Sequence, residues 1–166
     1  TYTDATTGGN SNATNTARAA LKLNMYNQMA QILSGYDKEN NLQLFDQDGD
    51  LTSSGDKHED VFFFAFSRIL TKDSIKKGEF ELKLGGGEGN GTIATRHATL
   101  ITISDTGAAT DYYVNSPAGH YGILKSGSTK VGLIYYDAGV VVLSRTIFDG
   151  LTHFISGKTA TVAADV

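Results

Sequence analysis

The segment Lys130–Val142 (KVGLIYYDAGVVV) crowds aromatic and β-branched residues on either side of Asp137-Ala138-Gly139. Such residues suit a pleated, half-buried surface, and an Asp-Ala-Gly interruption is where a chain reverses. The segment therefore reads as two antiparallel strands joined by a hairpin turn. Val61–Leu70 (VFFFAFSRIL) has the same character. Two such segments require a sheet with at least one buried face, and so a mainly β domain.

The remaining punctuation agrees with this. Glu79–Leu84 (EFELKL) alternates apolar and polar residues, as a strand with one buried face does. Thr92–Ser104, Tyr112–Val114, Tyr121–Leu124, Val131–Tyr136 and Val140–Leu143 read as further strands. Thr71–Gly78 and Asp105–Thr110 are turns between them, and Gly85–Gly91 (GGGEGNG) is a flexible hairpin loop. The most acidic stretch, Asp37–Asp60, holds Leu42, Leu44 and Phe45 as a short strand.

One N-terminal helix is expected over 17–34, capped by Asn15 or Thr16 and stopped by Gly35. Ala17, Leu21, Met25, Met29, Ile32 and Leu33 fall on one face at helical spacing. Core packing is the first reading of that stripe, and a partner-binding face is the second. Ser144–Ile155 reads as a short closing helix with Ile147, Phe148, Leu151 and Phe154 on one face. The whole is an antiparallel sandwich or barrel-like core with an amphipathic helix covering one face or projecting away. Residues 1–16 read as a flexible arm, 17–155 as a single β-rich domain and 156–166 as a small, polar tail.

The chain of 166 residues carries a net charge of −4 and no cysteine. That removes disulfides, thiolate metal sites and thiol nucleophiles, and it argues against nonspecific binding to nucleic acid. No apolar run approaches the ~20 residues that span a bilayer, and no signal peptide is visible. A start at Thr1 rather than Met reads as a processed product or a piece of a longer polypeptide.

Five patterns invite chemistry. Asp46-Gln47-Asp48-Gly49-Asp50 resembles a calcium loop, but Gly sits at the fourth position rather than the sixth. Lys57 also stands where the twelfth-position Glu belongs, so a solvated acidic turn is the better reading. Asp105-Thr106-Gly107-Ala108 looks like the active-site loop of retroviral-type aspartic proteases, in which two carboxylates share a proton and activate water. Ser104 departs from that pattern, and Asp-Thr-Gly is also an ordinary hairpin sequence. The glycine loop lacks the Lys-Ser/Thr of a phosphate loop. His58, His97, His120 and His153 are too dispersed to define a triad or a metal site. The pairs Tyr112-Tyr113 and Tyr135-Tyr136 read either as lining a carbohydrate- or protein-binding surface or, equally well, as one inward and one outward ring each, in core and surface. No catalytic, cofactor-binding or metal residue is assigned.

From Asp60 to Leu143 the chain resembles a type of virion structural protein found in contractile-tailed marine (cyanophage-like) bacteriophages. The resemblance rests on Phe63–Gly78 (FFAFSRILTKDSIKKG), the alternating strand Glu79–Leu84, Tyr121-Gly122 and Gly132–Leu143 (GLIYYDAGVVVL). It covers about half of the chain, in its β-core. It implies a non-enzymatic particle component located in the virion, whose partners are copies of itself and other virion proteins, with neither nucleic acid nor membrane. A glycan- or receptor-binding fibre or adhesin module is the alternative, and an aspartic protease built on Asp105 is the third class.

Overall fold

A computed structural model of the chain describes residues 16–49, 55–67, 73–86, 99–110 and 112–148. It is mainly β, with one helix. Helix α1 (Thr16–Leu33) precedes strands β1 (Val61–Ala65), β2 (Glu81–Gly86), β3 (Thr99–Ser104), β4 (Tyr113–Ser116), β5 (Gly119–Ser126), β6 (Thr129–Tyr135) and β7 (Val140–Ser144). A single 3-10 turn, Arg145–Phe148, follows, and positions 149–155 of the expected closing helix lie outside the described residues. So do the expected arm at 1–15 and the tail at 156–166.

The strands form one antiparallel sheet in the order β1-β7-β6-β5-β3-β2, with β4 added beside β5, and the sheet curls into a half-barrel. Its centre holds the β6–β7 hairpin expected from the β-prone run, with β5 paired along the other side of β6. Gly139 (φ 66°) accepts the left-handed turn that lets β6 reverse into β7, and its N–H donates to the Tyr135 carbonyl at 2.9 Å. β2 runs on into Gly85 and Gly86, which pair with Leu100 and Thr99. The strand thus takes in the first two glycines of the expected loop, since ladder hydrogen bonds use only backbone atoms, and 87–91 lie outside the described residues.

The sheet carries a core on each face. On one, Tyr121, Leu133, Tyr135 and Val142 pack with Tyr26, Ala30 and Leu33 of α1 and with Phe45. On the other, Leu124, Ile134, Tyr136, Val141 and Leu143 pack with Ile103 and Ala108. Between Leu124↔Gly132 and Lys125↔Lys130, β6 advances two residues for one of β5, so Val131 is a bulge. It joins the face of Ile134 and Tyr136. This corrects the expectation for one tyrosine pair. Tyr135 and Tyr136 do point to opposite faces, but both faces are covered and both rings are fully buried.

The helix requires a second correction. Leu21, Met25 and Ile32, assigned above to the core-facing stripe, are 65%, 54% and 63% exposed. The buried line is Tyr26, Ala30 and Leu33, spaced i, i+4, i+7, with Met29 partly buried beside it. Ala30 allows the helix backbone to approach the sheet closely. Tyr26 adds polar fixation: its hydroxyl donates to the His58 carbonyl at 2.7 Å and accepts from the Phe45 N–H at 3.2 Å. From Ala20 to Met25 no described side chain is buried, so this part of α1 stands clear of the core. Gly35 (φ 80°) ends the helix as expected, its N–H reaching the Ala30 carbonyl at 2.9 Å.

Within the acidic stretch, the expected strand at Leu42–Phe45 gives only isolated bridges, Tyr36↔Leu42 and Asp46↔Lys57. Phe45 is nonetheless fully buried, with edge-on contacts to Tyr26 at 5.2 Å and to Phe63 at 5.6 Å.

Candidate functional site

Asp105 and Asp46, which invited chemistry, are placed where the fold uses them, while Asp50 and 87–91 lie outside the described residues. Asp105 follows β3 and opens the turn that continues to Thr110, with its carbonyl accepting from the Ala108 N–H at 2.9 Å. The residue is 1% exposed. Its Oδ2 accepts from the Gly78 N–H at 2.8 Å and from the Tyr136 hydroxyl at 2.9 Å, while Oδ1 accepts from the Phe80 N–H at 2.9 Å. A carboxylate with three donors and no access to solvent ties the 78–80 segment to the β6–β7 hairpin. Burial and the adjacent Asp105 charge push the Tyr136 hydroxyl far above the usual tyrosine range, so its proton stays in place as a donor.

Asp46 is likewise fully buried, and its Oδ2 pairs with the Lys57 ammonium. Its Oδ1 accepts from the Asp48 N–H at 3.0 Å. The carbonyls of Asp48 and Gly49 accept from the hydroxyls of Tyr113 (3.0 Å) and Tyr121 (2.7 Å), which tie this loop to the sheet. Among the described residues no group of three or more His, Asp or Glu comes together around a metal position.

Those two tyrosines belong to a ladder that the sequence reading missed. Tyr113, Tyr121 and Tyr135 stand directly opposite one another on β4, β5 and β6. Their rings stack at 5.1 Å and 5.3 Å, with interplanar angles of 19° and 26°. Cross-strand aromatic pairs of this kind add about 0.5–1.5 kcal/mol each beyond area burial. The Tyr135 hydroxyl meets Ser34 Oγ at 3.1 Å, so the ladder joins the loop at 48–49 to the end of α1. A tyrosine in each strand was visible in the sequence; their alignment needed the register.

His58 and His120 lie among the described residues, and His97 and His153 lie outside them. His58 is buried, and its Nε2 has no hydrogen-bond partner among the described residues. Desolvation holds its imidazole below the ordinary value of 6.5. The folded chain therefore keeps the ring neutral at a pH where the unfolded chain takes up a proton. That stability is present above 6.5 and is lost as the pH falls through the folded value. The thermal midpoint is accordingly expected to drop between about pH 7 and pH 5, and His58→Gln to flatten that drop. Melting curves across a pH series check this, and an unaltered slope in the variant would refute it.

The exposed polar patch is built by Lys77, Tyr112, His120 and Asp137. Lys77 Nζ lies 4.7 Å above the Tyr112 ring, and the His120 ring meets Tyr112 edge-on at 5.2 Å. The Asp137 carboxylate accepts from the His120 backbone N–H at 2.9 Å. Lys77 thus covers one face of the aromatic ring that a sugar would use for stacking.

Two surfaces are left uncovered among the described residues. One is the outer face of α1. The other is the sheet margin at β1, which pairs only with β7 among the described residues and whose sequence, VFFFA, has no charge and no proline. The opposite margin, β2, exposes Glu81 and Lys83, paired at 2.9 Å. No helix among the described residues is long and apolar enough to cross a membrane. Comparison of the chain with family models, with curated proteins and with solved structures returns no match.

Proposed function

We propose that this chain is a non-enzymatic structural subunit that assembles with copies of itself. The observation that carries the reading is the β1 margin. A strand edge presents a row of backbone donors and acceptors, and natural sheets protect such edges with charges, prolines or covering segments. β2 carries charges of that kind, while β1 carries none. An uncharged edge suits pairing with another chain. The buried polar groups add support, since Asp105, Asp46 and the tyrosine ladder all hold the fold together. The same proposal takes the core as barrel-like, with β1 and β2 as its open margins. The virion setting, with other virion proteins as further partners, rests on the resemblance over Asp60–Leu143.

A lysine placed on the edge tests this directly. Ala65 is exposed at the end of β1, so Ala65→Lys introduces the missing charge without disturbing the core. Light scattering is expected to show a wild-type mass above the 17.7 kDa of one chain and a lower mass for the variant. Equal masses for the two would remove β1 as an assembly edge.

A further inference from the structure

The exposed residues of α1 form a pattern of their own. Leu21, Met25, Gln28 and Ile32 are spaced 4, 3 and 4, which is the a/d spacing of a coiled-coil seam. At 100° per residue they lie within about 60° of one another around the helix axis. All four are exposed, and none belongs to the buried line of Tyr26, Ala30 and Leu33. The helix thus has two apolar faces, of which the chain's own sheet covers one.

We propose that two copies of this chain pair through this seam, with their α1 helices antiparallel about a two-fold axis near Gln28. The inference rests on the reading of the chain as a self-assembling subunit, but on a surface separate from β1. Three features select a second copy in that orientation. First, the row is self-complementary about its centre: antiparallel pairing sets Met25 against Ile32, while Gln28 meets Gln28 near the axis. A single polar seam residue of this kind fixes register. Second, the charge is polarised along the chain. α1 contains Arg18 and Lys22 and no acid, whereas residues 37–60 contain eight acidic residues and two lysines. Antiparallel pairing brings the basic start of one helix to the acidic segment that follows the other, twice per dimer. Third, oppositely directed helix dipoles attract. The seam is short, about two heptads, which places the contact among small interfaces of under about 1,200 Å2 and predicts a concentration-dependent dimer.

The chain has no cysteine, so single thiols give a clean test. Gln28→Cys and Leu21→Cys are made separately in the full chain, oxidised mildly and read on non-reducing gels. The fold of each variant is checked by circular dichroism. Antiparallel pairing brings the two thiols at position 28 together and holds those at position 21 about 20 Å apart. Gln28→Cys is therefore expected to form disulfide dimers at least about tenfold faster than Leu21→Cys. In light scattering, Met25→Glu is expected to weaken the dimer by roughly tenfold or more. Lys22→Glu is expected to weaken it less, and adding Glu39→Lys to restore it. Equal cross-linking at both positions would overturn the antiparallel register. Self-association unchanged by Met25→Glu, with no cross-link at position 28, would overturn the seam and leave assembly through β1 standing. A monomer under all conditions would overturn both.

Discussion

Asp105→Ala is expected to unfold the chain at markedly lower urea, with a loss of about 3–5 kcal/mol. The side chain is 1% exposed and accepts from the Gly78 N–H, the Phe80 N–H and the Tyr136 hydroxyl. Truncation leaves all three donors buried or half-buried without that acceptor. Each orphaned donor costs about 1–3 kcal/mol, and relaxation makes the sum less than additive. Typical domain stability is about 5–15 kcal/mol, so this one carboxylate is a large fraction of the total. Asp105→Asn keeps the shape but turns an amide N–H2 toward a donor, and about 2 kcal/mol is expected from it. Tyr136→Phe removes one of the three bonds and should cost about 1 kcal/mol. In a double-mutant cycle, Tyr136→Phe is expected to cost less in the Asp105→Ala background than alone. Urea denaturation at matched pH measures the four variants against wild type. A stability for Asp105→Ala within about 1 kcal/mol of wild type would refute the clamp.

Gly132→Ala is the second large effect. Gly132 pairs with Leu143 beside the Val131 bulge, at the centre of the sheet. A Cβ added there would sit 2.1 Å from the Val142 carbonyl oxygen and 3.0 Å from Leu143 Cα. Those are backbone atoms of the adjoining strand, so no side chain can rotate away. β6 and β7 must separate, which disturbs ladder bonds and the packing of both core faces together. The expected loss is about 3 kcal/mol or more, at the upper end of overpacking effects. Gly127→Ala is the control. It sits in the β5–β6 turn at φ 61° with nothing within 4 Å of the added Cβ, so backbone strain alone applies, at about 1 kcal/mol. Urea midpoints that rank Gly127→Ala as the more damaging variant would contradict the packing at Gly132.

The contrast between these residues shows what the sequence could and could not convey. The β6–β7 hairpin was legible because β-branched and aromatic runs around Asp137-Ala138-Gly139 depend on local chemistry. The end of the helix was legible for the same reason, since a following glycine is a local signal, while the expected cap at Asn15 lies outside the described residues. Which face of α1 meets the sheet was not legible. Long aliphatic side chains at Leu21, Met25 and Ile32 score as core by periodicity, yet contact is decided by how closely the helix can approach, and Ala30 allows what a larger residue would not. The burial of both Tyr135 and Tyr136 also depended on tertiary structure, because alternation says nothing of whether the second face is covered. Asp105 shows the limit most clearly. As a tetrapeptide it admitted both a protease loop and a turn, and only the positions of Gly78, Phe80 and Tyr136, distant in sequence, give its carboxylate a role.

Sedimentation velocity on the purified full chain, over roughly a hundredfold range of concentration, tests the central claim most directly. Assembly predicts a weight-average mass above 17.7 kDa that rises with concentration. A single species of 17.7 kDa across the whole range would contradict it.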